Sequence, residues 1–458
     1  MKKYGFKCLF ALLTIGVTSC SLWDPSFYIS DDPDIPSSDM IVFNITEDDF
    51  KEGKGSKTTL SFYDPISGND SGYLQALVHK WNRAFGKSYF IQQNSNTESI
   101  HYQKIDTNLN NNTAPDIAII HNTRVPYYQG RGKLRDMTSW AEDTGIKEED
   151  YIEGSYSSGI FEGKLYSLIY DMIPTFLFYN KKLIPEGYTE EDIQAEAFTV
   201  ETMLEMAKAA YEYNPDYGNK IKYGVAFNYA FTEQPFLNFL YQQEGRVVSP
   251  SNYKKAAYNS TKGYNAAEAL KNIANTYVDG HHISQLSGDD HITIFANGRA
   301  LFTIDGIWQE ENLLLHNDVV DTGMTLLPRI NIVSGERNTY ADGHCLVSYV
   351  NKKQSGIRDI GIKLFIKYLV DNSAFWCQGG KMAVRKDTLE SELYQNLEWY
   401  FVSKEEVKVS IPEKKRTFSY LIKTMPNYVS KLCEGTLTNV QDAINSAASE
   451  GEELVKDW

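Results

Sequence analysis

The sequence predicts a two-lobed α/β fold, on three observations. The chain has 458 residues, more than a single core fills efficiently, so two folding units are expected. Apolar strand runs alternate with amphipathic helical patterns in two successive βαβ-like blocks. Between the blocks, FEGKLYSLIYDMIPTFLFYNKKLI (residues 161–184) holds two strand runs broken at Tyr170-Asp171, as a hinge-like crossing would be.

The N-terminus reads as a leader. MKKYGFK supplies lysines, and CLFALLTIGV is an apolar run too short to span as a stop-transfer helix. Small residues then lead through VTSC to Cys20, a pattern that resembles the bacterial lipobox and implies that Cys20 is diacylated after cleavage. Loss of residues 1–19 removes Lys2, Lys3 and Lys7 and takes the formal charge from −15 to −18. Residues 20–56 carry prolines, serines and many acids and read as an acidic tether.

Order is expected from Thr58. TTLSFY reads as a strand, GYLQALVHKWNRAF as a helix with one apolar stripe, and YFIQQ and APDIAII as two further strands, so a mostly parallel sheet is expected. In the second block a helix is expected over 199–213, a strand over YGVAFNYAF, and a helix over KGYNAAEALKNIANTYVDG ending at Gly280. Strand Ala300–Ile304 then stops at Asp305-Gly306 and delivers Trp308. GMTLLPRI, the strand GHCLVSYV and the helix IRDIGIKLFIKYLVD follow, with only helical patterns beyond Leu389.

Composition narrows the partners. With a charge of −15 and no basic stripe, nucleic acid is excluded as a partner, and a membrane enters only through the lipid anchor. Tyrosine, at 31 copies, exceeds phenylalanine at 22 and tryptophan at 7, which suits wet surfaces that also stack. Beyond the leader, Cys345, Cys377 and Cys433 show no CxxC spacing and read as buried thiols, with pairing left open. His281-His282…Asp289-Asp290…His291 lacks fixed ligand spacing and reads as a solvated loop, so no metal and no cofactor are expected.

Landmarks in order carry a family resemblance. TLSFYDP with GYLQALVHKWNRAF, NNNTAPDIAII, the 161–184 stretch, YGVAFNYA, FANGRALFTIDGIW, YADGHCLVSYV and FWCQGGKMAVRKD together resemble the family 1 extracellular solute-binding proteins, the maltose-binding-protein-like sugar receptors of ABC importers. The resemblance covers roughly residues 57–450. It implies a type II periplasmic-binding-protein fold with the ligand cleft between hinged lobes, 57–170 plus 329–375 and 171–328 plus 376–458. It also implies a carbohydrate ligand, ABC permease partners and an extracytoplasmic, lipid-anchored monomer.

The resemblance directs attention to particular side chains. Trp308 is expected to stack on a sugar ring, with Asp305 either a turn residue or a hydroxyl acceptor. Tyr63, Asp64 and Asn69 border the loop after the first strand, Asp64 having an alternative as an Asx turn before Pro65. His121 and Arg124 follow the third strand, and Arg124 suits vicinal hydroxyls. Asp171 lies at the expected hinge, Tyr229 on the second rim and Asp342 on the opposite wall, while Tyr420 divides between cleft and core. The rival reading is a lipid-anchored glycosidase acting on oligosaccharides, since carboxylates are plentiful. No GxSxG, HExxH, P-loop or usable GxGxxG is present, and the order of segments favours capture over catalysis.

Overall fold

The computed structural model describes residues 38–458 apart from 69, 213–221, 288–289, 315, 317–318, 331–336, 338, 405–408 and 411. Cys20 with its leader, and Asn69, therefore lie outside the described residues.

The first sheet has the order Tyr89–Ser95, Thr58–Asp64, Ile117–His121, His344–Val347, Leu168–Ile169. Its first three strands run parallel, and the last two pair antiparallel. Helix Ser71–Phe85 turns its stripe of Leu74, Leu77, Val78, Trp81 and Phe85 into the core, and the Trp81 indole donates to the Tyr89 carbonyl at 2.8 Å. The second sheet has the order Ser284–Ser287, Tyr223–Asn228, Ala300–Gly306, Ile173–Asn180, Thr339–Asp342, Val409–Ser410, with Thr322–Leu326 also paired to Ile173–Asn180. Parallel and antiparallel pairs mix here, because Ile173–Asn180 runs against all three of its neighbours. All eight residues of that strand are buried, as expected of a strand covered on both faces.

Four expectations shift. First, residues 38–56 do not hang free: Ile41, Ile45 and Phe50 are buried. Phe50 meets Phe85 and Tyr89 edge-on at 5.2 Å each, and Asn372 clamps Val42 through both backbone groups. Second, Thr339–Asp342 joins the second sheet and His344–Val347 the first, so that crossing falls at Gly343 rather than near 329. A Cβ at Gly343 would lie 2.3 Å from the Asp171 carbonyl of the other crossing, which is why glycine stands there. Third, Trp376, Val384, Tyr394 and Trp399 bury in the cluster that holds the first sheet's core and also Phe176 and Phe178 of the second sheet, although 376–458 is expected in the second lobe. Paired Met172 and Met382, and Tyr151 and Arg385, hold this segment in place.

Fourth, the helix expected to end at Gly280 is Thr261–Ala274, followed by a hairpin of Tyr277–Val278 and His281–His282. Asp279 and Gly280 both take positive φ, 50° and 80°, the geometry a two-residue hairpin turn demands. Beyond Leu389 the short strand Val409–Ser410 also interrupts the helices. No helix of the described residues is long and apolar enough to cross a membrane.

Candidate functional site

The parallel strands of both sheets end toward one region, where the sequence places its polar and aromatic candidates. This is the arrangement in which open α/β sheets bind ligands. On the first sheet, the turn after Ile117–His121 is fixed from across the crossing. Asp342 accepts from the Thr123 backbone N–H at 3.3 Å and from its hydroxyl at 2.8 Å. The turn presents His121 and Arg124. Tyr102 Oη lies 2.6 Å from His121 Nδ1, and the Arg124 guanidinium lies over the Tyr102 ring at 4.5 Å. Glu98, first residue of helix Glu98–Asn110, stands 3.8 Å from His121 Nδ1.

At the strand ends of the second sheet stand Tyr229, Phe231, Glu233 and Trp308, of which Glu233 feels the charges of Glu98 and Arg124. Phe231 meets Trp308 edge-to-face at 5.9 Å and 89°. The indole folds back over Gly306, where a Cβ would sit 2.0 Å from the ring, so the turn glycine makes room for it. Trp308 is half-buried against the core. Gly380 abuts its backbone, and Gly379 abuts Asp70 and Tyr73 at the start of helix Ser71–Phe85. Glu233 opens helix Glu233–Gln242. Burial, with Glu98 and Asp342 nearby, pushes its carboxyl up to about 7 against the opposing charge of Arg124.

Between the walls, the crossings are braced by buried charge. Asp171 accepts from the His344 backbone N–H at 3.0 Å and lies 2.9 Å from His344 Nδ1. It also accepts from the Trp376 indole at 2.6 Å. Burial works to raise the Asp171 carboxyl, but His344 and Lys381 outweigh it and hold it below its ordinary value. Beside it, Lys381 pairs with Asp70 at 2.7 Å while only 1% exposed.

Other candidates prove occupied by the fold. Asp64 is fully buried and accepts from the Ile66 backbone, Gln93 and Ser95, so the Asx turn before Pro65 is what forms. Asp305 accepts from the Gly306 backbone at 2.6 Å and lies 2.6 Å from His291 Nε2, so it too serves its turn. His291 is accordingly buried at the start of helix His291–Ala296 rather than solvated in a loop. Tyr63 is half-buried and accepts from Asn108 at 3.3 Å. Tyr420 sits in a ring cluster with Tyr127 and Trp458, on a helix packed against the Asn122–Arg124 turn and close enough to Arg124 for its charge to act on the Tyr420 hydroxyl. Sequence reasoning missed Glu98, Glu233, His344 and Trp376. Glu98 and Glu233 carried a local signal, since each opens a helix shortly after a parallel strand. The three thiols are free and buried. Among the described residues, no group of three or more His, Cys, Asp or Glu is placed to hold a metal ion.

Residues 79–396 match the family model of the bacterial extracellular solute-binding proteins. The chain belongs to that family. Its members are binding proteins rather than enzymes and work outside the cytoplasm. The chain is also 32% identical over 89 residues to the diacetylchitobiose-binding protein DasA of Streptomyces coelicolor. That stretch is 19% of this chain and spans only 20% of DasA. Among solved structures, the fold resembles the GacH receptor of Streptomyces glaucescens, described unliganded and with acarbose. The TM-score is 0.72 at 17% identity, over 87% of this chain and 99% of that one. MalE of Bdellovibrio bacteriovorus bound to maltotriose gives 0.72 at 16% over 87% and 100%. UgpB of Mycobacterium tuberculosis in complex with glycerophosphocholine gives 0.69 at 13% over 87% and 98%. These likenesses make the fold of this family member the two-lobed, MalE-like one.

Proposed function

We propose that the protein captures a carbohydrate, an oligosaccharide, between its lobes and delivers it to an ABC importer, held at the membrane by a lipid on Cys20. The observation that carries this reading is the half-buried Phe231–Trp308 pair at the strand ends. Phe231 lies two residues before Glu233, on which the charges of Glu98 and Arg124 act. Sugars lay C–H faces on aromatic rings and give their hydroxyls to such groups. The likeness to receptors of acarbose and maltotriose supports the same class, whereas the glycerophosphocholine receptor marks the alternative of another polar solute. Catalysis is not expected: Asp64, Asp171, Asp305 and Asp342 are each engaged by the protein's own donors.

We also place the lobe boundaries at the sheet crossings. The first lobe takes 38–170, its docked residues 38–56 included, and 344–399, and the second takes 173–342 and 400–458. Rotation about the crossings would close the cleft. Thermal-shift screening against neutral oligosaccharides tests the ligand class, because a ligand bound only by the native state raises stability as RT ln(1 + [L]/Kd). A stabilising sugar that also reduces the radius of gyration supports capture by closure. Stabilisation by glycerophosphodiesters alone would overturn the carbohydrate reading.

A further inference from the structure

We infer that Tyr127, Trp458 and Tyr420 form an aromatic clasp that sets the resting angle between the lobes. Tyr127 belongs to helix Val125–Gly130, directly after the first sheet's Ile117–His121 strand, and packs against that core. Trp458 and Tyr420 pack against the helical core on the far face of the second sheet. The three rings nevertheless meet. Trp458 stacks on Tyr127 at 5.6 Å and 28°, Tyr420 lies 5.1 Å from Tyr127, and Trp458 meets Tyr420 edge-on at 4.6 Å. Each pair lies inside the range in which aromatic rings attract, a range that ends within a few ångströms. Any rotation that separates the lobes here breaks the Tyr127 contacts and leaves Tyr420–Trp458 intact.

Cations close the cluster on both sides. Arg131, from the first lobe, lies 5.0 Å over Tyr127 and donates to its hydroxyl. Arg416, from the second, lies 5.8 Å over Trp458 and 5.2 Å over Tyr253. Its aliphatic stem comes within 3.5 Å of where a side chain at Gly130 would begin. Thr417 ties the same segment down by donating to the Tyr253 carbonyl. One lobe therefore holds a fixed ring pair and a guanidinium, and the other offers a ring and a guanidinium to receive them. Stacking and cation–π attraction both fall off steeply, so the contact is made or lost rather than stretched. A contact that only one lobe arrangement makes shifts the population toward that arrangement.

The inference rests on the two-lobed fold and not on what the cleft binds, so it is tested without any sugar. With Cys8→Ala and Cys20→Ala introduced, spin labels at exposed Glu142→Cys in the first lobe and Asn272→Cys in the second report the interlobe distance in the full chain, the native thiols at 345, 377 and 433 being buried. Trp458→Ala and Tyr127→Ala are each expected to shift or broaden the distance distribution, and the double variant to go no further than either. Trp458→Phe, which keeps a ring, is expected to retain the wild-type distribution. Should Trp458→Ala fold poorly, Tyr127→Ala breaks the same contact from the other lobe. Folded single variants with the wild-type distribution would overturn the clasp.

Discussion

Replacing Asp171 separates a structural carboxylate from a ligand-binding one. In Asp171→Ala the His344 backbone N–H, the His344 ring and the Trp376 indole lose their shared acceptor. All are buried, with Asp171 at 0% exposure and Trp376 at 0%. Removing one partner of a buried charged pair typically costs about 3–5 kcal/mol, since the other is left without compensation. Asp171→Asn keeps an acceptor oxygen and should cost less, about 1–3 kcal/mol. Taking about 2.1 cal/mol/K per residue, the melting entropy of a chain this long is about 1 kcal/mol/K, so Asp171→Ala should lower Tm by about 3–5 °C if the lobes melt together. The pH profile gives a second readout. The folded carboxyl is held below its ordinary value of 3.8. Its contribution is therefore complete above that value and lost as pH falls through the lower folded one. Asp171→Asn should lack this acid-side loss. Differential scanning calorimetry with titration of a stabilising sugar checks both. An unchanged Tm with binding abolished would refute the brace and return Asp171 to the ligand.

Three further outcomes are expected. Trp308→Ala should weaken sugar binding by about 1–3 kcal/mol, one to two decades in Kd, with Tm nearly kept, as calorimetry on one preparation would show. Burial raises the Asp64 carboxyl to about 6; a raised acid stabilises the fold below its unfolded value and loses that contribution as pH rises through about 6. Stability should then fall by at most about 3 kcal/mol from pH 4 to 7 relative to Asp64→Asn in urea titrations. Phe50→Ala should cost about 3–5 kcal/mol by the same measurement if residues 38–56 are part of the first lobe, and nothing if they are a tether.

What was legible in the sequence was local. The break at Tyr170-Asp171, the strand ending at Asp305-Gly306 and the stripe of helix Ser71–Phe85 all follow from spacings of a few residues. The Asx turn at Asp64 was legible too, its partner Ile66 being two positions on. The brace at Asp171 was not, because its partners lie 173 and 205 residues away, and nothing in one sequence says that they meet. Composition misled at residues 38–56, where many acids hid Ile41, Ile45 and Phe50. Three apolar side chains outweighed the surrounding charge, with helix Ser71–Phe85 offering Trp81 and Phe85 to Phe50.

Side-chain length explains which of the candidate carboxylates the fold engages. Asp64, Asp305 and Asp342 each accept from a backbone N–H one or two residues ahead. A side chain with one methylene keeps its carboxylate within reach of its own turn, which is why aspartate favours such positions. Strand ends are rich in turns, so an aspartate there is recruited by the fold before any solute arrives. Glutamate and arginine reach past the backbone. Glu98 stands 3.8 Å from His121, and Arg124 spreads over Tyr102. Glu233 lies close enough to Glu98 for the two charges to affect each other. If the proposed cleft is the binding site, substitution at Glu98 and Glu233 should change affinity more per unit of lost stability than substitution at any of the three aspartates.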